Sequence, residues 1–277
     1  MPDQKVAVVT GTSSGIGLHT AVGLAARGIR VVATMRDTAK AERLRAEAAD
    51  QGVELTVRRL DVTDHEGAHR CLDEVAADFG PIDILVNNAG QSTAGTLEQL
   101  DAAALQQQLD VNVLGPAALT RHVLPSMRSA GAGRIVSVSS NGGVHGEPFL
   151  DAYCASKFAL EGLMQSLAPV AARFGVTVSV VEPAAVATHM ADNLDTRALF
   201  SPDDPYRELA EKFLQTAQSE MANAQSAQAA AAVVVEAATT DSPRFRWQTS
   251  QAAVSLAGLS LADMDGSNVL TATSQWI

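Results

Sequence analysis

The sequence predicts an α/β fold in which a doubly wound parallel sheet carries helices on both faces. Two observations support this prediction. Short runs rich in β-branched residues alternate with longer segments rich in Ala, Leu and Glu, and the first run leads directly into a glycine-rich turn. Such alternation is typical of right-handed βαβ units, whose parallel strands are covered on both sides. No repeat or change of composition marks a second domain, so residues 1–277 are predicted to form a single domain.

The strand-forming runs are separated by segments long enough for a helix. The predicted strands are Lys5–Val9, Ile29–Thr34, Glu54–Leu60, Ile82–Val86, Arg134–Val138, Thr177–Val181 and, at the end, Arg244–Thr249. Helices are expected between them, for example over Thr38–Asp50 and Asp64–Phe79.

The alternation stops after Glu182. From Pro183 to about Met221 the chain contains clusters of Pro, Asp and Asn, followed by a segment that favours a short helix. Insertions beyond the carboxyl end of a strand commonly cover a binding site. Residues 184–223 are therefore predicted to form a substrate lid, with a solvated connection as the alternative.

Composition and charge exclude several classes of function. The chain has 47% hydrophobic and 18% charged residues, as soluble globular proteins do, and its net charge is −11. A chain this acidic offers no basic surface to nucleic acid or to an anionic membrane. It has neither the basic and apolar start of a signal peptide nor an apolar run long enough to span a bilayer. With two cysteines and no disulfide framework, the protein is expected in the cytoplasm, with a small molecule as its partner.

The first predicted strand ends in a turn with the sequence Thr10-Gly-Thr-Ser-Ser-Gly-Ile-Gly17, and an amphipathic segment follows it. Glycines at these positions permit a tight turn and let the backbone approach a pyrophosphate at a helix N-terminus. This context predicts a Rossmann-like dinucleotide site, although a merely tight turn is the alternative when the motif is taken alone.

The Gly-xxx-Gly-x-Gly spacing resembles that of the short-chain dehydrogenase/reductase family, and further motifs of that family follow in order. They are Asn87-Asn-Ala-Gly90, Asn112 within Leu-Asp-Val-Asn-Val, the pair Ser139-Ser140, and Tyr153-Cys-Ala-Ser-Lys157. The resemblance covers about residues 5–190. Within the family, the sequence around Tyr153 is similar to 17β-hydroxysteroid dehydrogenases of type 1 and related retinol dehydrogenases, and Gly266-Ser-Asn268 shows a fainter likeness.

Tyr153 and Lys157 are the candidate catalytic pair. Residues four apart share one face of a helix, and an ammonium group stabilises a nearby phenolate, which would let the phenol exchange a proton near neutral pH. An ordinary helix face is the alternative for this pair in isolation. The resemblance implies that Ser140 hydrogen-bonds the substrate oxygen, with Ser139 as the neighbouring candidate. It also implies that Asn112 holds a water in a relay to Lys157.

The end of the second strand favours NADP over NAD. An enzyme that prefers NAD usually has a carboxylate there, whereas this chain has Met35 followed by Arg36, which can bind a 2′-phosphate. Asp37 is the rival candidate and would favour NAD. The complete set of residues expected to bind the cofactor is Gly11, Ser13, Ser14, Gly15, Ile16, Gly17, Arg36, Asp61, Val62, Asn87, Ala89, Gly90, Tyr153, Lys157, Pro183, Val186 and Thr188.

One position departs from the family pattern, and the resemblance weakens in the residues that follow it. Ala184 occupies a position where the family usually has Gly, so the loop beside the nicotinamide is expected to differ. Substrate choice is assigned to residues beyond Ala191. The candidate pocket residues are His145, Glu147, Phe149, His189 and Met190. The six histidines lack the spacing of metal ligands, so no metal site is predicted.

The motifs together predict an NADP-dependent oxidoreductase that interconverts a secondary alcohol and a ketone. A sugar-nucleotide epimerase or dehydratase is one alternative, and a non-catalytic NADP-binding sensor is another. The helix over Asp151–Phe174 and the one beginning near Asp101 are poor in charge. Because relatives pair these two helices across a two-fold axis, a homodimer or a homotetramer is expected.

Overall fold

A computed structural model describes residues 4–188, 194–196, 199 and 203–277. The strands in these residues are β1 Val6–Thr10, β2 Arg30–Met35, β3 Thr56–Arg59, β4 Ile82–Asn87, β5 Gly133–Val138, β6 Val176–Glu182, β7 Val186–Ala187, β8 Gln225–Ser226 and β9 Arg246–Gln248. Seven of them form one parallel sheet in the order β3-β2-β1-β4-β5-β6-β9, while β7 and β8 pair separately. Every predicted strand is present, including the last one, and the predicted fold class is confirmed.

Helices connect the strands. Their bounds are α1 Gly15–Ala26, α2 Glu42–Asp50, α3 His65–Phe79, α4 Ala102–Leu109, α5 Gly115–Ala130, α6 Asp151–Ala172, α7 Arg207–Ala222, α8 Ala227–Thr239, α9 Gln251–Leu261 and α10 Ser267–Thr273. Several begin at the side chains that favour a helix start: Asp64, Asp101, Ser226 and Ser250 each accept a hydrogen bond from a backbone N–H in the first turn. None of the helices in the described ranges is long and apolar enough to cross a membrane.

The sheet separates two apolar layers, because alternate residues of each strand point to opposite faces. In β1, Ala7 and Val9 pack on α1, α2 and α8, whereas Val6 and Val8 pack on α3, α5 and α6. Burying a side chain such as Leu24 or Leu72 contributes roughly 1.5–3 kcal/mol each, so the two layers together hold the sheet in place.

The strand order reverses direction at β1, which pairs with β2 on one side and with β4 on the other. The connections that follow β1 and β4 therefore leave the sheet on opposite faces. A crevice opens between these two connections at the carboxyl ends of the strands. This position brings the glycine-rich turn after β1 next to the Asn87-Asn-Ala-Gly90 turn after β4.

Described residues of the segment after β6 line the cleft at the carboxyl ends of the strands. A small apolar cluster joins α7 to the loops before it, and its buried members are Ala94, Phe149, Leu199, Ala210 and Phe213. The helix expected in this segment is α7, which is longer than predicted. The candidate pocket residues His189 and Met190 lie outside the described residues.

Candidate active site

The glycine-rich turn is held by close backbone contacts. Gly11 and Gly15 have φ values of +69° and +59°. Residues other than glycine rarely adopt this backbone conformation. A Cβ on Gly11 would lie 2.8 Å from the Ala89 Cα, and one on Gly17 would overlap the side-chain amide of Asn88. The turn and the first turn of α1 thus need glycine at these positions to pack this closely against the residues after β4.

The two asparagines after β4 have different roles. Asn88 donates from its side chain to the carbonyls of Thr10 (2.9 Å) and Gly11 (3.1 Å), and it lines the cleft. The predicted residue Asn87 is buried, and its amide donates to Thr120 and Ser137. Asn87 therefore bonds Thr120 and Ser137 inside the protein, whereas Asn88 is the asparagine whose side chain lines the cleft.

The end of β2 places positive charge at one end of the cleft. Met35 is buried there, whereas Arg36 and Lys40 are exposed and line the cleft. Lys40 was not predicted, although its position four residues after Arg36 could have suggested it. Asp37 instead caps the short helical turn Thr38–Ala41, where its carboxylate accepts from the Ala39 N–H.

Asp61 follows β3 on the same rim. Partial burial alone would raise its pKa, but hydrogen bonds from Thr63 and the charges of Arg36 and Arg59 hold the pKa below its usual value. The carboxylate is thus ionised at neutral pH, next to the cationic group at the end of β2.

Tyr153 and Lys157 lie one turn apart on α6 and face the cleft together with Ser140. Burial raises the pKa of the Tyr153 phenol, the hydrogen bond with Ser140 lowers it, and the charge of Glu147 raises it further. The ammonium nitrogen of Lys157 lies 5.7 Å from the centre of the Tyr153 ring and donates to the Val138 carbonyl (3.0 Å). Ser140 and Tyr153 are thus hydrogen-bonded to each other, and Lys157 lies beside them, bonded to the backbone at the carboxyl end of β5.

Lys157 is buried, which lowers its pKa to about 8, while the nearby Glu161 acts in the opposite direction. Glu161 lies one turn further along α6 and pairs with Arg246 of β9 (2.6 Å), which also contacts Glu182 of β6 (2.5 Å). The pKa of Glu161 rises to about 7 through burial and the charge of Glu182. A cluster of two carboxylates and one guanidinium thus lies beneath the lysine.

Asn112 occupies a π-helical turn, Asp110–Leu114, between α4 and α5. Its amide donates to the Gln91 carbonyl (3.0 Å) and to the Ser156 hydroxyl (2.9 Å), and its oxygen accepts from the Gln91 N–H (3.0 Å). Ser156 lies between Tyr153 and Lys157 in sequence. Asn112 therefore contacts α6 from behind and is not among the residues that line the cleft.

One cleft of about 690 Å³ joins these groups. Apart from Asn87 and Asn112, every predicted catalytic or cofactor residue lines it. Ala184 also lines it, and Thr188 packs against Gly15. Within the described parts of the chain, no three His, Cys, Asp or Glu side chains come close enough to hold a metal ion.

The cleft continues beyond Tyr153 into a second compartment. Of the predicted pocket residues, Glu147 lines it, whereas His145 and Phe149 are buried behind it. Its other described walls come from the start of α6, from the predicted lid segment with α7, from α9 and from the residues after α10, and the last two were not predicted from the sequence. These lining residues are Leu150, Leu194, Phe213, Thr216, Ala217, Glu220, Met221, Leu256 and Trp276.

Comparisons with known proteins agree with this geometry. A family model described as short chain dehydrogenase matches residues 5–198. Retinol dehydrogenase 8 of Homo sapiens is 44% identical over 194 residues, which is 69% of this chain and 61% of that protein. The 17-beta-hydroxysteroid dehydrogenase type 1 of Homo sapiens is 36% identical over 284 residues, 97% of this chain and 84% of that protein. A solved short-chain dehydrogenase from Streptomyces avermitilis has a TM-score of 0.81 at 34% identity, covering 99% of this chain and 96% of that chain.

Proposed function

Because this chain belongs to the short-chain dehydrogenase family, we propose that it is an NADP-dependent oxidoreductase that interconverts a secondary alcohol and a ketone. The observation that carries the proposal is that Ser140, Tyr153 and Lys157 face the same cleft as the glycine-rich turn. A dinucleotide on that turn would extend along the cleft toward Tyr153, which would act as the acid/base.

The residues present fit a nicotinamide dinucleotide. Side chains at Gly11 and Gly17 would collide with Ala89 and Asn88, so glycine here preserves the tight turn that would present its backbone to a pyrophosphate. Asp61, Val62, Ala89 and Gly90 line the adenosine end, and Pro183, Val186 and Thr188 line the opposite wall. When bound, the nicotinamide supplies or accepts the hydride.

Tyr153 is the proton donor in the reductive direction. Its raised pKa keeps the phenol protonated at neutral pH, so it can pass a proton to the substrate oxygen as the carbonyl is reduced. The Ser140 hydroxyl, which hydrogen-bonds the phenol, would donate to the same oxygen. In the oxidative direction the proton moves back, and the Lys157 ammonium stabilises the phenolate.

Lys157 needs its proton for this role, and its pKa of about 8 keeps it largely protonated at neutral pH. Its hydrogen bond to the Val138 carbonyl directs the ammonium toward the cleft. We assign Asn112 a positioning role, since its bonds to Gln91 and Ser156 hold the middle of α6 against the π-helical turn.

The preference for NADP over NAD rests on the charges after β2. Arg36 and Lys40 offer two cations to a 2′-phosphate, and Met35 cannot accept a hydrogen bond from a 2′-hydroxyl as a carboxylate would. Asp37, the alternative acceptor, is occupied as the cap of its own turn.

We further assign the described residues of the predicted lid, 184–188, 194–196, 199 and 203–223, as the cover of the substrate compartment. Ala185, Phe213, Thr216 and Met221 of this segment line the cleft. Apolar side chains in such a cover would exclude water from the reacting groups.

The replacement Tyr153→Phe tests the catalytic assignment. It should leave NADPH binding nearly intact and remove most turnover of a ketone panel, followed by NADPH absorbance. Tyr206→Phe is the matched control, because the other tyrosine of the chain bonds Glu98 on the surface and does not line the cleft. If Tyr153→Phe kept activity within about tenfold of the wild type, or about 1.4 kcal/mol in barrier, the assignment would be wrong.

We also propose that the chain forms a homodimer or a homotetramer. On α6, Leu160 and Met164 are buried in the chain's own core, whereas Phe158, Leu163 and Val170 are exposed. Exposed apolar side chains on one helix favour an interface. Light scattering should give at least twice the chain mass of 28.8 kDa. A fully active monomer would contradict this proposal.

A further inference from the structure

The substrate compartment combines apolar walls with two carboxylates. Leu150, Phe213 and Trp276 supply apolar surface, while Glu147 and Glu220 also line the space. The cationic lining residues are Arg36, Lys40 and Lys157, and the first two lie at the opposite, adenosine end. Among the described residues, the compartment beyond Tyr153 therefore carries more negative than positive charge.

Glu147 is close to the reacting group. One of its carboxylate oxygens and the edge of the Tyr153 ring both lie 3.2 Å from the position that a Cβ on Gly142 would take. The carboxylate and the phenol ring are thus neighbours across this glycine. A substrate whose oxygen binds Tyr153 would bring the atoms a few bonds away within reach of Glu147.

Glu147 has no cationic side chain as a partner among the described residues. Its side chain is only 19% exposed, yet in the described part of the chain no Lys or Arg pairs with it. The nearest basic group is the imidazole of His145, 3.6 Å away and buried. Both ring nitrogens of His145 lack a hydrogen bond, and burial lowers the pKa of this ring, which keeps it neutral. A half-buried carboxylate without a cation is costly, so a positive group from the substrate would be strongly favoured.

We propose that Glu147 recognises an ammonium group on the substrate, so that the preferred substrates are amino ketones, and the matching amino alcohols, with the amine a few bonds from the carbonyl. This inference rests on the proposed function, because it assumes that the carbonyl binds at Tyr153. Glu220, exposed at the mouth of the compartment, adds negative charge along the path of entry.

The proposal implies a pH dependence. Burial and the charge of Glu220 raise the pKa of Glu147 to about 7, and the other titratable groups that face it are His145, Tyr153 and Cys154. Burial raises the pKa of the Cys154 thiol to about 12, so that group stays neutral. Preference for the ammonium ketone should therefore be about half of its maximum near pH 7. It should rise above that pH for as long as the amine stays protonated, and fade below it as Glu147 takes up a proton.

Three matched ketones test the proposal. They are β-(dimethylamino)propiophenone, its uncharged carbon isostere with isopropyl in place of dimethylammonium, and β-hydroxypropiophenone. We expect the wild type to show a kcat/KM at least about tenfold higher for the ammonium ketone than for the isostere, mainly through KM. Glu147→Gln keeps the shape of the side chain and removes its charge. In this variant the ratio of the two kcat/KM values should fall to about one. Comparing two ketones on one variant cancels any effect that Glu147 has on Tyr153.

Glu211→Gln is the control, because it removes a charge from an exposed position of α7 that does not line the compartment. Its ratio should equal that of the wild type. The proposal would be overturned if Glu147→Gln kept the wild-type ratio, or if the wild type itself reduced the two ketones with equal kcat/KM. So would an equal gain for the hydroxy ketone, because the carboxylate would then act as a simple hydrogen-bond acceptor.

A binding measurement separates this inference from the proposed function. If no ketone is reduced, the proposed function fails, yet calorimetry can still measure binding of the ammonium ketone to the wild type and to Glu147→Gln. A loss of affinity of about tenfold in the variant would support the subsite even then. Equal affinity would overturn it.

Discussion

Replacing Arg246 with Met should destabilise the protein in a pH-dependent way. Arg246 is the cation that pairs with two buried carboxylates, Glu161 and Glu182. Removing one partner of a buried ion pair typically costs about 3–5 kcal/mol. Because the Arg246 side chain is 22% exposed, we expect the lower end of that range, about 3 kcal/mol. For a chain of this length, roughly 2 °C in Tm per kcal/mol gives a decrease of about 6 °C.

The sign of the pH dependence follows from the carboxylates. Burial and the charge of Glu182 already raise the pKa of Glu161 to about 7, well above the value of about 4.3 expected in the unfolded chain. Without Arg246 the folded-state pKa rises further, so the ionised form is penalised only in the folded state. The loss of stability should be complete above the folded-state pKa of Glu161 and should shrink as the pH falls and Glu161 takes up a proton.

Thermal unfolding near pH 8 and near pH 6, followed by circular dichroism, measures this effect. The double variant Arg246→Met/Glu161→Gln should recover part of the loss near pH 8. Arg27→Met is the control, since its pair with Glu236 is exposed and should contribute at most about 1 kcal/mol. An equal decrease in Tm at both pH values would mean that Arg246 stabilises by packing, and the electrostatic reasoning would be refuted.

Three further outcomes are expected at the cofactor end of the cleft. Lys157→Ala should reduce both turnover and NADPH affinity. If turnover fell while NADPH affinity stayed unchanged, the lysine would act only in proton transfer with Tyr153 and not in cofactor binding. The wild type should favour NADPH over NADH by at least about tenfold in kcat/KM, roughly 1.4 kcal/mol. Met35→Asp with Arg36→Leu should reverse that preference, and native preference for NADH would contradict the assignment. Gly17→Ala should lower NADPH affinity in fluorescence titrations, because its Cβ would collide with the turn, whereas Gly258→Ala, which has open space, should not.

Much of the fold could be predicted because its signals are local. Each strand is a short β-branched run, and the spacing of Tyr153 and Lys157 predicts that they share one face of α6. Their candidate catalytic role came from the family resemblance and not from the spacing alone. The glycine-rich turn is equally local, since it depends on φ values that few residues adopt. These features need no knowledge of which distant segments meet.

The substrate compartment could not be predicted in the same way. Its walls include Phe213, Leu256 and Trp276, which are far apart in sequence and come together only when α7 and the C-terminal helices pack over the sheet. An apolar residue on a helix has the same local signal whether it faces the core or a ligand. The roles of Asn87 and Asn88 were equally hidden, because two adjacent residues of one type differ only in which side of the strand end they face.

The π-helical turn between α4 and α5 makes the length of this helical segment a part of the site. Such a turn holds one residue more than an α-helical turn. The extra residue sets the rotation of α4 about the helix axis relative to α5. Deleting Asp110, Val111, Val113 or Leu114 would let an ordinary α-helix form through the segment. The helix before the deletion would then turn by about 100° against the helix after it. Asn112 could no longer reach Gln91 and Ser156 together, although every side chain with a chemical role would still be present. A library of one-residue deletions should therefore find this stretch less tolerant than substitution at the same positions would suggest.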